Sequence, residues 1–256
     1  MRRSSASEMM DAPEIPRALL IDDLRNLRLL NRYLGNYRNV LRGLARFAGK
    51  QNHFSLLDVG TGSGDVPRAI VQWARRAGLR ARVSGLEANR IAVAQAAEQT
   101  QWFGEISLVR GNAMTLPFRP ASFDFVLASQ LLHHYSEDRV VGLLRQWAAV
   151  ARQGIIISDL IRHPLPYYGI RLLTRLLTRN VMTLTDAPLS VRRGFTLVEW
   201  KKLLDAADVG TVEVHLVFPF RVLALITVRH SLSRIIRGNT AIEMQPFRNE
   251  GKAAVP

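Results

Sequence analysis

Two short stretches hold the residues with the most chemical potential. The first is Leu56-Leu57-Asp58-Val59-Gly60-Thr61-Gly62-Ser63-Gly64-Asp65, three glycines at alternate positions with a carboxylate on either side. The second is the pair His133-His134, followed by Tyr135. Alternate glycines let a backbone turn sharply and approach a ligand closely. A dinucleotide fingerprint would read G-x-G-x-x-G and rest phosphate on a helix N-terminus. Here the third glycine, Gly64, comes one position early, and Asp65 stands where the last glycine would be. Asp58 and Asp65 would repel a pyrophosphate but attract an ammonium or a sulfonium. The loop therefore fits a cationic nucleoside without phosphates. Adjacent imidazoles suit an acceptor hydroxyl that must lose a proton, since phenols have pKa values of about 10. The plainer role of such a pair is to cap a helix or to form a polar pocket wall.

S-adenosylmethionine is a ligand of the kind the loop fits. To hold it, the loop must sit at the carboxyl edge of a sheet, between a strand and a helix, where open α/β folds bind ligands. The pattern provides this. Phe54–Val59 reads as a strand and Val66–Ala77 as a helix closed by Gly78, with Asp65 placed to cap it and Pro67 in its first turn. Strands follow at Ala81–Leu86, Ile106–Arg110, Phe123–Ala128 and Gly154–Ser158, with helices at Ile91–Gln101 and Glu137–Gln153. Strands separated by helices specify a parallel sheet covered on both faces. After Thr196–Ala207, whose Thr196 and Glu199 form a capping box, Val212–Phe218 and Val222–Val228 lie too close together to pair except as antiparallel neighbours. The fold class expected is α/β, Rossmann-like and doubly wound, with a mostly parallel sheet ending in an antiparallel hairpin strand.

Over about Phe54 to Asp159 the chain resembles the class I methyltransferases that use S-adenosylmethionine, especially the branch around the ubiquinone/menaquinone methyltransferases. Leu57 to Asp65 is close to that family's first motif, and the resemblance implies cofactor contacts from Asp58, Gly60, Thr61, Gly62, Gly64 and Asp65. It also implies that Glu87, at the end of the second strand and beside Ala88, binds both ribose hydroxyls. Gly111-Asn112-Ala113 with Leu116-Pro117-Phe118 matches the adenine-binding stretch. Ser122-Phe123-Asp124-Phe125-Val126 and Ser129-Gln130-Leu131-Leu132-His133-His134 match the fourth-strand motif, whose backbone lies near the methyl group. One departure is plain: the family usually has Asp where this chain has Asn112, whose amide oxygen can still accept from the adenine amino group. His133 and His134 are the candidate catalytic bases, with Tyr135, Asp159 and Arg162 as further candidates for touching substrate.

The rest of the chain bounds the acceptor. With no cysteine, thiolate catalysis and thiolate-held metals are excluded, and the six histidines show no metal-ligand spacing, so no metal is expected. No run approaches the roughly 20 apolar residues of a membrane span, and no signal peptide is read, which makes the cytoplasm the default location. Residues 1–14 read as a flexible N-terminus and 15–237 as a single domain. That domain divides into a helical cap (15–50), a cofactor-binding core (51–159), a lid insertion (160–195) and a C-terminal helix with hairpin (196–237), before a loose tail at 238–256. In the lid, Leu165, Tyr167, Tyr168, Ile170, Leu172, Leu173, Leu176, Leu177 and Met182 either line an apolar pocket or bury against the core or a second subunit, a homodimer. Arg171, Arg175 and Arg179 beside them leave peripheral membrane contact open.

The net charge of +14 raises the alternative of RNA methylation, but no RNA-binding module or aromatic-basic stacking face is present, and nucleic acid is disfavoured as a partner. N-P-P-Y, the mark of amino methylation, is absent. The expected activity is transfer to a small hydrophobic aromatic acceptor, such as a phenolic polyketide or quinone precursor, by O-methylation before C-methylation. An inactive cofactor-binding regulator is the remaining alternative.

Overall fold

The computed structural model describes residues 1–12, 14–48 and 51–229; the tail expected at 238–256 lies outside them. Strands β1 (His53–Val59), β2 (Arg80–Glu87), β3 (Ile106–Arg110), β4 (Phe123–Ser129), β5 (Ala151–Leu160), β6 (Gly210–Val217) and β7 (Arg221–Val228) form one sheet in the order 3-2-1-4-5-7-6. The first five run parallel, and β7 pairs antiparallel with both β5 and β6. The reversal of order between β1 and β4 opens a crevice at the carboxyl ends of those two strands.

Helices α1 (Arg17–Tyr33), α2 (Asn36–Ala48), α3 (Asp65–Arg76), α4 (Arg90–Thr100), α5 (Glu137–Val150), α6 (Pro164–Leu177), α7 (Val181–Arg193) and α8 (Leu197–Ala207) surround the sheet. β1 explains why both faces are covered. Leu57 and Val59 join a core under α5 and α8 that includes Trp147 and Trp200, while Phe54 and Leu56 join a second core under α2 and α3. A strand apolar on both sides has no face to give to water.

Two boundaries differ from expectation. β5 begins at Ala151, directly after α5, because Ala151 pairs with Phe123 across an irregularity and Arg152 is held by Asp124 and the Ala121 carbonyl. Asp65 does not cap α3. Gly64 holds the cap position in a left-handed conformation, and Asp65 is the first helical residue with its carboxylate turned elsewhere. The capping box at α8 is as read, Thr196 Oγ1 accepting from Glu199 N and Glu199 accepting from Thr196 N.

The N-terminal residues, read as flexible from composition, make several contacts with the rest of the chain. Arg3 donates to the carbonyls of Arg193, His133 and Tyr135 and stacks its guanidinium 3.9 Å from the Phe195 ring centroid. Ser4 N donates to Arg192 O, and Asp186 accepts from the amides of Met9 and Met10. Polar composition suggested flexibility, but every one of these partners lies on the lid or the His133–Tyr135 segment, which local sequence cannot reveal.

Candidate active site

The glycine loop leaves β1 and folds under β2. Gly60 N and Thr61 N both donate to Leu86 O, at 2.8 and 3.0 Å. Gly62 has φ +55°, and a Cβ there would meet only Leu24, at 3.8 Å, so this left-handed residue turns bare backbone toward open space. Gly64, at φ +72°, is instead pressed against α4: a Cβ would lie 2.9 Å from Thr100 Cγ2. One glycine serves ligand approach and the other helix packing.

Carboxylates surround the loop at three depths. Glu87 spans it, one oxygen accepting from Gly62 N at 3.0 Å and the other from Asn89 N at 2.9 Å. Each oxygen keeps a further lone pair for a vicinal diol. Asp65 accepts from Tyr37 Oη at 2.8 Å and Asn31 Nδ2 at 3.1 Å, tying the loop to α2 and α1. Asp58 is buried and accepts from Thr61 Oγ1 at 2.7 Å. Burial pushes its carboxyl up to about 7, with Asp65 and Glu87 adding to the rise and the Thr61 bond opposing it.

A raised acid favours the folded state while it stays protonated, so this contribution is present below the unfolded pKa and lost as pH climbs toward 7. Urea unfolding from pH 4 to 7 is therefore expected to weaken the wild type relative to Asp58→Asn by up to about 4 kcal/mol. Parallel curves for the two proteins would contradict the assigned cause.

These residues border one cavity of about 1350 Å³. Ala88, Asn112, Ala113 and Ser129 line it as well. Asn112 Oδ1, expected to accept from adenine, already accepts from Met114 N at 2.9 Å and retains one lone pair. Ser129 Oγ accepts from Asn36 Nδ2. Gln130, at φ +53°, reaches the Asn31 amide oxygen, a contact the sequence did not signal. Arg221, 3% exposed, borders the same space with Nη1 lacking any hydrogen-bond partner, a donor suited to a carboxylate. Diol acceptor, acidic loop, open glycine backbone and a buried guanidinium with one free donor together suit an amino-acid-bearing adenosyl sulfonium.

His133 and His134 border the cavity too. His133 is buried, with Nδ1 2.7 Å from Asp159 Oδ1. Burial pushes the Asp159 carboxyl up, but the His133 contact and the Leu160 amide more than offset this and hold it below the usual range. His134 Nδ1 lies 3.1 Å from Asp11 Oδ1. Both Nε2 atoms face Glu8, each 3.7 Å from one of its carboxylate oxygens. Glu8 is 3% exposed, and burial pushes its carboxyl up to about 7. Glu8, His133 and His134 offer three donor atoms within 4.8 Å of one another, a grouping that spacing along the sequence did not signal. Glu8 and Asp11 lie in a stretch without motif, so only the folded N-terminal strap brings them to the histidines.

The other substrate candidates divide. Tyr135 lines the cavity, whereas Asp159 stands behind His133 and Arg162 is spent on Glu199 and the Gly194 carbonyl, away from the lining. Of the lid residues, Leu165, Ile170 and Leu173 line the cavity, and Met182 is buried against α1. Tyr168, Leu172, Leu176 and Leu177 remain exposed on α6.

Residues 56–154 match the family described as methyltransferase domain. A demethylmenaquinone methyltransferase of Bacillus licheniformis is 33% identical over 98 residues, 38% of this chain and 40% of that protein. A ubiquinone/menaquinone biosynthesis C-methyltransferase of Rhizobium leguminosarum is 37% identical over 76 residues, 29% of either chain. The chain thus matches well under half the length of these relatives.

Among solved structures, human N-acetylserotonin methyltransferase in complex with S-adenosylmethionine aligns with TM-score 0.62 at 16% identity, over 84% of this chain and 57% of that one. An S-adenosylmethionine-dependent methyltransferase of Aquifex aeolicus aligns with TM-score 0.60 at 17% identity, over 84% of this chain and all of the other. No helix among the described residues is long and apolar enough to cross a membrane. Residues 56–154 thus match a methyltransferase domain, carried on a fold shared with S-adenosylmethionine-dependent methyltransferases.

Proposed function

We propose that this chain methylates a hydroxyl of a small, hydrophobic, aromatic acceptor. The observation that carries the reading is one cavity with two unlike sets of lining residues. The glycine loop and Glu87 border it on the cofactor side, while Leu165, Ile170 and Leu173 of the lid and the Glu8–His133–His134 cluster border it elsewhere. The cofactor supplies a methyl group on a sulfonium, open to in-line attack.

The chain's residues do the remaining work. Apolar lid residues seat the ring and exclude water, and orientation alone supplies much of the acceleration. The cluster is the polar group beside an otherwise apolar seat, and it steadies the acceptor oxygen as its proton is lost. One relative is named a demethylmenaquinone methyltransferase and the other a ubiquinone/menaquinone biosynthesis C-methyltransferase, which supports a quinone-like ring and keeps carbon methylation as the second reading.

The test is transfer of labelled methyl to a panel of phenols and quinols, with mass spectrometry to separate O- from C-methyl products. His134→Ala is expected to lower turnover about 10²–10⁴-fold while cofactor affinity stays within a factor of two or three. Cofactor binding without transfer to any such acceptor would sink the proposal.

A further inference from the structure

We infer that Glu8, His133 and His134 bind one divalent transition-metal ion at the acceptor end of the cavity. The inference rests on reading this cluster as the acceptor end, and it adds the ligand through which the cluster would act.

Three features of the geometry carry it. The donor set is two imidazole nitrogens and one carboxylate, which suits zinc, ferrous or manganous ions. The donors already converge: each Nε2 stands 3.7 Å from a Glu8 oxygen, too long for a hydrogen bond. Tetrahedral ligands about 2.1 Å from a cation stand about 3.4 Å apart, so donors that lie within 4.8 Å of one another close the site by contracting at most about 1.4 Å. Lastly, the far nitrogens are already fixed. His133 Nδ1 meets Asp159 and His134 Nδ1 meets Asp11, at 2.7 and 3.1 Å. Carboxylates behind ligating histidines hold the ring orientation and tautomer, and this is the usual outer arrangement of a metal site.

The alternative partner for Glu8 is Arg193, whose Nε is 3.8 Å from Oε1. That guanidinium is committed elsewhere, donating at 2.9 Å to Asp11 Oδ2 and at 2.7 Å to the His134 carbonyl. Ser190 Oγ donates to Glu8 Oε1 at 2.9 Å, but a hydroxyl brings no charge. Within the cluster Glu8, Asp11, Asp159 and Asp186 supply four carboxylates against the guanidiniums of Arg3, Arg193 and Arg221, a balance that favours a positive ion. Three protein ligands leave coordination positions free toward the cavity, as in catalytic rather than structural sites. An acceptor with an oxygen able to ligate, a phenol or hydroxyquinone, fits there.

The experiment is calorimetric titration of the chelator-treated full chain with zinc chloride, repeated with cobalt(II) and read by visible absorption. One ion per chain is expected, with Glu8→Gln and His134→Ala each weakening binding at least tenfold. The exposed His215→Ala is expected to leave binding unchanged. Unaltered cofactor affinity in the two weakened variants shows that they are folded. No one-to-one binding, or binding indifferent to both substitutions, overturns the inference. Transfer undiminished in chelated protein that takes up no zinc also overturns it while leaving the acceptor reading intact. A one-to-one zinc site in a protein that methylates no phenol or quinol upholds the cation and defeats that reading instead.

Discussion

Glu87→Ala is expected to weaken S-adenosylmethionine binding by about 10²–10³-fold, measured by calorimetry with the cofactor and with its demethylated product. A hydrogen bond to a charged group is worth about 1.5–3 kcal/mol, and two ribose hydroxyls can use this carboxylate. The substitution also releases Gly62 N and Asn89 N, so the loop that presents bare backbone to the ligand loses its brace. Product and substrate share the ribose, so both should weaken together. Loss confined to the sulfonium form would point to charge attraction rather than to the diol. Glu87→Gln, which keeps acceptor capacity on one side only, is expected to fall between wild type and alanine.

Asp159→Asn is expected to be the most damaging single change to stability, by about 3–5 kcal/mol in urea unfolding. Asp159 is 1% exposed and accepts from Leu132 N, His133 Nδ1 and Leu160 N at 2.9, 2.7 and 2.7 Å. Its charge also favours the protonated state of Arg221, whose pKa burial lowers to about 10. Removing one charge of a buried set leaves the other without compensation. Asparagine must also present its NH2 to some donors that now point at oxygen. Asp159→Ala with Arg221→Met restores charge neutrality and is expected to recover part of the stability but not the seating of His133. Full retention of stability in Asp159→Asn would mean that the carboxylate is not what holds this corner together.

The cofactor half of the molecule was legible because its signals are local. Gly60 to Gly64, Glu87 and the Phe123–His134 stretch each carry their meaning within one strand and the turn after it, and the parallel sheet follows from alternation. The spacing of β6 and β7 announced the antiparallel hairpin before any contact was known. What stayed hidden depends on contacts distant in sequence. Glu8 and Asp11 have no neighbours that mark them, and their importance comes from His133, His134, Asp186 and Arg193. Asp65 invited the wrong role because a carboxylate at a helix start ordinarily caps it, whereas Asn31 and Tyr37 claim it here. Arg162 looked like a substrate contact only because its tie to Glu199 spans the lid. Periodicity described the lid helix α6 but could not say which of its faces meets the cavity.

The strap has a practical corollary for handling the protein. Arg3 and Ser4 are anchored on the Arg192–Arg193 turn, with Glu8 following after little slack. A fusion tag joined ahead of Met1 would tug on the same tether that delivers the Glu8 carboxylate. Tagged and untagged preparations can then differ in turnover while loading cofactor equally, a discrepancy easily mistaken for a poor choice of substrate.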